Sequence, residues 1–361
     1  PGMIATAELL MDNARVDAFA TRITEILNSG ALALGLSIGH RTGLFDALDV
    51  LPPATSGRIA NHAGLDERYV REWLGAMVTG GLVEYDPIDR TYHLPAEHAA
   101  LLTRRNSPNN LAVAAQFLPV IASVEDRIVD CFRDGGGVGY GHFERFHEVM
   151  AEESCQTVVS ALFDHILPLA DEIPGRLREG IDVADIGCGM GRAIIALASA
   201  YPNSRFTGFD LSLEATEDAA DRARVLGLRN VRFERLDLTK FDRPAAFDLV
   251  TAFDVVHDQA EPARVLENVR AALRPDGVFL MQDIRTSSHL ENNVEHPLGA
   301  YLYTISYNHC MTVSLSNDGA GLGTCWGREL AEEMLSDAGF SDVSVNQLEH
   351  DIMNDFYVAR T

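Results

Sequence analysis

Between Asp12 and Asn28 the apolar residues Val16, Phe19, Ala20, Ile23, Ile26 and Leu27 recur at the three-to-four spacing that gathers them on one face of a helix. A second apolar helix is expected through Leu32, Leu34, Leu36 and Ile38, ending near Gly43. Such faces serve as the core of a monomer or as the contact face of a dimer. From Thr55 to Leu94 the pattern is more particular. Ser56 is placed to cap a short helix (Ile59, Ala60), and Asp66 a longer one (Tyr69, Val70, Trp73, Leu74, Met77, Val78) ended by Gly80-Gly81. Leu82–Tyr85 and Thr91–Leu94, joined by Asp86-Pro87-Ile88-Asp89, then read as a hairpin, which makes the whole a winged helix. Helices are expected over Asn106–Asp134. Gly135-Gly136-Gly137-Val138-Gly139 lacks both a preceding strand and a following Lys-Ser or Lys-Thr, so it reads as a hinge or surface loop rather than a phosphate loop. It leads into a helix over Phe143–Met150 and a long one from Glu152 toward Leu169, and Pro174-Gly175 marks a domain boundary.

From Asp182 onward strand and helix alternate. Apolar runs at Val183–Ile186, Arg205–Phe209, Val231–Leu236, Phe247–Phe253 and Val278–Met281 are separated by helices that include Glu214–Leu226 and Pro262–Leu273. After Gly327 a last helix ends at Gly339, and Val343–Val345 with Phe356–Val358 supply two closing strands. This is an α/β pattern. Its seven-stranded, Rossmann-like sheet is covered by helices on both faces, and sheets of that kind bind ligands at the carboxyl ends of their strands.

Composition narrows the function. In 361 residues, 53 acidic side chains stand against 29 Lys and Arg, a formal net charge of −24, which argues against nucleic acid as a partner. The wing agrees, with Glu84, Asp86 and Asp89 against Arg90. Five cysteines without a CxxC pair indicate reduced thiols rather than disulfides or a cysteine zinc site. No apolar run reaches membrane-spanning length and no signal segment opens the chain, so a cytoplasmic location is expected. Pro1-Gly2 ahead of Met3 reads as a remnant of an expression tag.

The candidate chemistry centres on Asp185-Ile186-Gly187-Cys188-Gly189-Met190-Gly191, a strand end running into a glycine turn whose backbone a ligand can approach. Asp210 ends the second strand, where a carboxylate can accept from both hydroxyls of a ribose. Asp237, in Leu236-Asp237-Leu238, either meets an adenine amino group or is a turn acid before Thr239. The glycine order is GxGxG, with Arg192 where a dinucleotide fingerprint would carry its third glycine.

These residues resemble the class I S-adenosylmethionine-dependent methyltransferases over Ile181–Thr361, and with the winged helix the chain resembles the small-molecule O-methyltransferases whose N-terminal domain dimerises. The resemblance implies S-adenosylmethionine as cofactor, held by Gly187, Cys188, Gly189 and Gly191, with Asp185 ordering the turn directly or through water. It further implies Asp210 and Leu211 at the ribose, Asp237 and Leu238 at the adenine, and Phe253, Asp254 and Ser154 lining the cofactor. His257-Asp258 matches the family's His-Asp pair, which implies that both are catalytic with His257 the general base, although Gln259 stands where the plant enzymes carry an aromatic residue. A base is needed because a neutral hydroxyl is a weak nucleophile, and histidine titrates near working pH. Without that role His257 would cap a helix or line the pocket. Phe146 and Met150, on a helix resembling the one that covers the family's substrate, would touch the acceptor.

The implied organisation is a helical and winged-helix dimerisation domain over 3–105, a helical substrate-side region over 106–175, and a catalytic domain over 176–361. Within the last, the insertion 284–326 carries His289, His296, Tyr301, Tyr303, Tyr307, His309 and Met311, and reads as a pocket lid or a dimer contact. Its histidines lack close metal-ligand spacing, so no metal is expected. The expected partner is a small molecule, with no nucleic acid and no membrane. C-methylation is the rival chemistry, and a cofactor-sensing transcription regulator the rival class.

Overall fold

In the computed structural model, residues 12–361 are described. The tag reading at Pro1-Gly2 and the domain start at Met3 lie outside them. The chain forms two compact units, one reaching Leu118 and one beginning at Pro119.

Among the described residues the first unit begins with one helix, α1 (Asn13–Thr42), where two are expected. Asp12 caps its start, and Gly43 ends it in the left-handed conformation at φ 73°. Ser29-Gly30 does not interrupt it, because the Ser29 hydroxyl donates to the Glu25 carbonyl one turn back and Gly30 keeps the helical geometry. The C-terminal half of α1 is anchored. Trp73 Nε1 donates to the Gly35 carbonyl at 2.8 Å, and a Cβ at Gly39 would lie 2.5 Å from both Phe45 and Trp73. In its N-terminal half Val16, Phe19, Ile23, Ile26 and Leu27 stay exposed.

Helix α2 (Leu44–Val50) is followed by α3 (Ser56–Ala63) and α4 (Glu67–Thr79), with a two-stranded wing β1 (Glu84–Asp86) and β2 (Thr91–His93). The cap of α3 is Thr55 rather than Ser56, whose hydroxyl instead donates to Glu67 at 2.6 Å. Asp66 caps α4 as expected. Acids occupy the arginines of α4: Arg68 pairs with Glu72 and Arg71 with Glu67. Helix α5 (Ala96–Leu102) completes this core, and α6 (Phe117–Ala122) spans the division.

In the second unit α7 (Glu125–Asp134) leads to the glycine stretch, which is no free loop. Val138 is buried with its N–H on Thr312 Oγ1 at 2.8 Å, and a Cβ at Gly137 would lie 2.0 Å from the Thr312 carbonyl. Helix α8 starts at Phe146 rather than Phe143, since Arg145 takes positive φ and breaks the run before it (α8, Phe146–Ser154). Beyond it the expected long helix is two widened π-type turns, Cys155–Val159 and Leu162–Ile166. Pro174 lies in the first turn of α9 (Ile173–Glu179), where its missing N–H is no loss.

The sheet contains β3 (Asp182–Ile186), β4 (Arg205–Asp210), β5 (Val231–Arg235), β6 (Phe247–Phe253), β7 (Leu273–Ile284), β8 (Asp342–Asn346) and β9 (Asn354–Arg360). Their order is β5-β4-β3-β6-β7-β9-β8, and only β9 runs against its neighbours. The helices α10 (Arg192–Ala200), α11 (Leu213–Val225), α12 (Pro262–Ala272) and α16 (Gly327–Asp337) accompany it, with α13 (Leu290–Asn293), α14 (Gly299–Asn308) and α15 (Cys310–Leu315) inside the insertion. Alternation along the strands divides the core between the two faces. Ala184 and Ile186 join Phe279 and Leu266 on one, while Val183 joins Ile194 and Leu197 on the other. Full burial of a Val, Leu, Ile or Phe side chain contributes about 1.5–3 kcal/mol.

Candidate functional site

The glycine turn sits at the carboxyl end of β3, with Cys188 N–H bonded to the Phe209 carbonyl on β4 at 3.0 Å. Its three glycines have different reasons to be there. A Cβ at Gly187 would lie 2.5 Å from Val255, and one at Gly191 would lie 2.8 Å from Phe233, so close packing excludes side chains at both. At Gly189, with φ 51°, a Cβ would meet nothing within 4 Å, so this is where the backbone faces open space. Asp210 braces that point, its Oδ2 accepting from Gly189 N–H and its Oδ1 from Ser212 N–H, both at 2.8 Å.

Asp185 does not bond to the turn. Its Oδ1 accepts from Thr251 Oγ1 at 2.7 Å across to β6, and burial pushes its pKa up to about 7 despite that bond. Asp237 lies beyond the end of β5 and caps the short turn Leu238–Lys240, accepting from Thr239 N–H and hydroxyl and pairing with Lys240. Leu238 is a buried core side chain beside Phe209, whereas Leu211 is exposed. Arg192, first residue of α10, buries an Nη1 that has no partner among the described residues. Cys188 is shielded, and burial raises its thiol pKa well above the usual range.

At the end of β6, Phe253 is half-buried and Asp254 takes positive φ (63°), with a buried Oδ1 lacking a hydrogen bond. Burial, with Asp283 and Asp258 nearby, raises Asp254 to about 6 against the opposing effect of His257. The short turn Val256–Asp258 buries His257, whose Nδ1 lies 2.8 Å from Asp283 Oδ1. The carboxylate that holds the imidazole is therefore Asp283, on β7, and not the adjoining Asp258. Successive residues of a turn point apart, and Asp258 instead accepts from the Tyr140 hydroxyl and from Gln259 Nε2. Asp283 Oδ1 is itself fixed by Trp326 Nε1 at 3.0 Å and by Ile284 N–H at 2.8 Å. Burial opposes a charge on His257, but Asp283 outweighs it and the pKa is raised well above the ordinary value.

Asp254, His257 and Asp283 bring one ligand atom each within 4.8 Å of one another, close enough for a cation. Asp283 Oδ1 serves three donors, His257, Trp326 and Ile284, while its Oδ2 is buried without a hydrogen bond among the described residues. On α8, Phe146 stacks on His309 at 3.8 Å between centroids, while Met150 and Ser154 are half-buried along the same helix. Sequence reasoning missed Asp283, Trp326 and Tyr140, and noted His309 only as one aromatic residue of the insertion. No local spacing links these residues to His257.

Comparison with known proteins finds two family models, the Rv2258c-like winged helix-turn-helix domain over residues 30–104 and a methyltransferase domain over 177–339. Among curated relatives, (S)-coclaurine N-methyltransferase of Papaver somniferum is 23% identical over 109 residues, 30% of this chain and 31% of that protein. The match thus spans about a third of the relative's length. The solved structure of human N-acetylserotonin methyltransferase in complex with SAM matches 98% of this chain and 99% of that one, at 19% identity and a TM-score of 0.66. That of the mitomycin 7-O-methyltransferase MmcR matches 97% and 100%, at 19% identity and 0.69. These two likenesses are of fold.

Proposed function

We propose that this chain, which carries a winged helix-turn-helix domain and a methyltransferase domain, transfers the methyl group of S-adenosylmethionine to a hydroxyl of a small apolar or aromatic acceptor. The observation that carries this reading is the pairing, on adjacent strand ends, of a glycine turn braced by Asp210 with a buried His257–Asp283 dyad. Two groups without a hydrogen bond among the described residues suit the cofactor's methionine end, Arg192 Nη1 for its carboxylate and Asp254 Oδ1, 3.7 Å from His257 Nδ1, for its ammonium. Gly187, Cys188, Gly189 and Gly191 carry the backbone beneath it, Asp210 and Leu211 meet the ribose, and Asp237 with Leu238 borders the adenine. Phe253 and Ser154 close the sides. When bound, the cofactor supplies an electrophilic methyl on its sulfonium. His257, with Nδ1 tied to Asp283, takes the hydroxyl proton on its other nitrogen as the oxygen attacks, and Phe146 and Met150 hold the acceptor.

Calorimetry with S-adenosylhomocysteine and with NAD tests this. We expect the first to bind and the second not; NAD binding alone would end the reading.

We also assign dimerisation to residues 3–105, the substrate side to 106–175 and catalysis to 176–361, with 284–326 as a lid. The exposed Val16, Phe19, Ile23, Ile26 and Leu27 on α1 suit a second copy of the chain. Light scattering should give twice the chain mass for the wild type and a monomer for Phe19→Asp; a monomeric wild type refutes the dimer. Five free thiols, with no described helix long and apolar enough to cross a membrane, favour the cytoplasm.

A further inference from the structure

One imidazole close to the dyad has no task in the reaction above. His309 stands between α14 and α15, 1% exposed. Aromatic rings enclose it: Phe146 lies nearly parallel at 3.8 Å, and Phe143 and Tyr140 meet it edge-on at 4.6 and 5.3 Å between centroids. Its Nδ1 faces Cys310 Sγ at 3.6 Å, and the same thiol also faces His257. Its Nε2 is buried with no partner among the described residues. A buried nitrogen left unpaired costs about 1–3 kcal/mol, so a partner from outside the chain, an ordered water or a ligand, is expected to complete it. The ring is neutral. Burial, then the charges of His257 and His147, pull its pKa down to about 3. A neutral imidazole offers one hydrogen bond to an uncharged polar group and no charge to attract an ion. The nest also borders the dyad, because Tyr140 donates to Asp258, next in the chain to His257.

We propose that His309 Nε2 is the acceptor-recognition atom of this site: it hydrogen-bonds an oxygen of an uncharged hydroxyaromatic molecule that lies against the half-buried Tyr140, Phe146 and Met150. The assignment rests on the methyltransferase reading and deepens it.

The test uses the full-length protein saturated with S-adenosylhomocysteine and titrated with phenol, catechol and 1-naphthol. His309→Phe keeps a ring for the Phe146 stack and removes the nitrogen, while His309→Gln keeps a polar group within reach. At least one of the three compounds should bind the wild type, about tenfold more weakly to His309→Phe, and within about threefold of wild type to His309→Gln. Affinity for S-adenosylhomocysteine should be the same in all three proteins. Equal loss in both variants, no loss in either, or no binding of any phenol to the wild type overturns the proposal. Failure of S-adenosylhomocysteine to bind the wild type is a different result, and removes the methyltransferase reading itself.

Discussion

The two ends of the proposed site are built from different materials. At the glycine turn the working parts are backbone N–H groups and φ angles, set by strands adjacent in register: Asp185 stands opposite Gly208 and Ile186 opposite Phe209. Around His257 the parts are side chains drawn from separate segments, with Asp283 on β7, Trp326 just before α16, Tyr140 before α8 and His309 at the start of α15. A backbone cradle can persist through changes of its side chains and suits a cofactor that many enzymes share. A side-chain cluster can be rewritten residue by residue, and so sets the chemistry and the acceptor.

The largest effect should come from breaking the side-chain end. His257→Ala should lower turnover by about 10²–10⁴-fold while affinity for S-adenosylhomocysteine, measured by calorimetry, stays at the wild-type value. Unchanged turnover would remove the base assignment. Asp283→Asn should show the cause. Asp283 raises the His257 pKa, and a base must be unprotonated to act, so the wild-type rate rises with pH through that raised value. Without the carboxylate the rise should move to lower pH; a rise in the same place would mean that another group titrates.

The same contrast explains what the sequence reveals. Gly187, Gly189, Gly191 and Asp210 are legible because turn chemistry is local and strand order follows from alternation. The differences in that half are of a residue or two, as where β5 ends at Arg235 rather than Leu236, and Asp237 caps the turn before Thr239, one of its two readings. Gly30 misleads because its helix cost is real but small, and a helix anchored by Trp73 at Gly35 absorbs it. Asp283, Tyr140 and Trp326 are hidden for another reason: only the folded sheet and insertion bring them to His257. Asp258, next to His257 in the chain, bonds to Tyr140 and Gln259 instead.

Asp185 sharpens the comparison from the backbone side. It lies next to the turn, but its bond goes to Thr251, so Asp185→Asn should leave S-adenosylhomocysteine affinity within about threefold of wild type. Stability should change with pH instead. With a folded pKa of about 7 against an ordinary carboxylate value near 3.9, the native state favours the protonated acid. The contribution of Asp185 to native stability is therefore fully present below about pH 4 and falls as pH rises toward 7, at most by about 4 kcal/mol. The asparagine variant carries no such titration and should gain on the wild type in urea unfolding at pH 8 but not at pH 4. A large loss of cofactor affinity would show instead that Asp185 serves the ligand directly.

Asp210 is where the two kinds of construction meet, since a side chain holds the backbone cradle in shape. Its two oxygens already accept from Gly189 and Ser212. An ionised carboxylate has about four lone-pair sites, which leaves roughly two for ribose hydroxyls. Asp210→Ala removes both sets of bonds at once, and each bond to a charged group contributes about 1.5–3 kcal/mol. S-adenosylhomocysteine affinity should fall about 100-fold, and Asp210→Asn, which keeps one acceptor oxygen, should fall between alanine and wild type. Turnover at saturating cofactor should change little in either, because His257 and Asp283 are untouched. If Asp210→Ala binds the nucleoside as tightly as the wild type, the carboxylate only braces the turn and the ribose is held elsewhere. If turnover collapses along with affinity, the two ends are not separable, and the division between backbone cradle and side-chain chemistry fails.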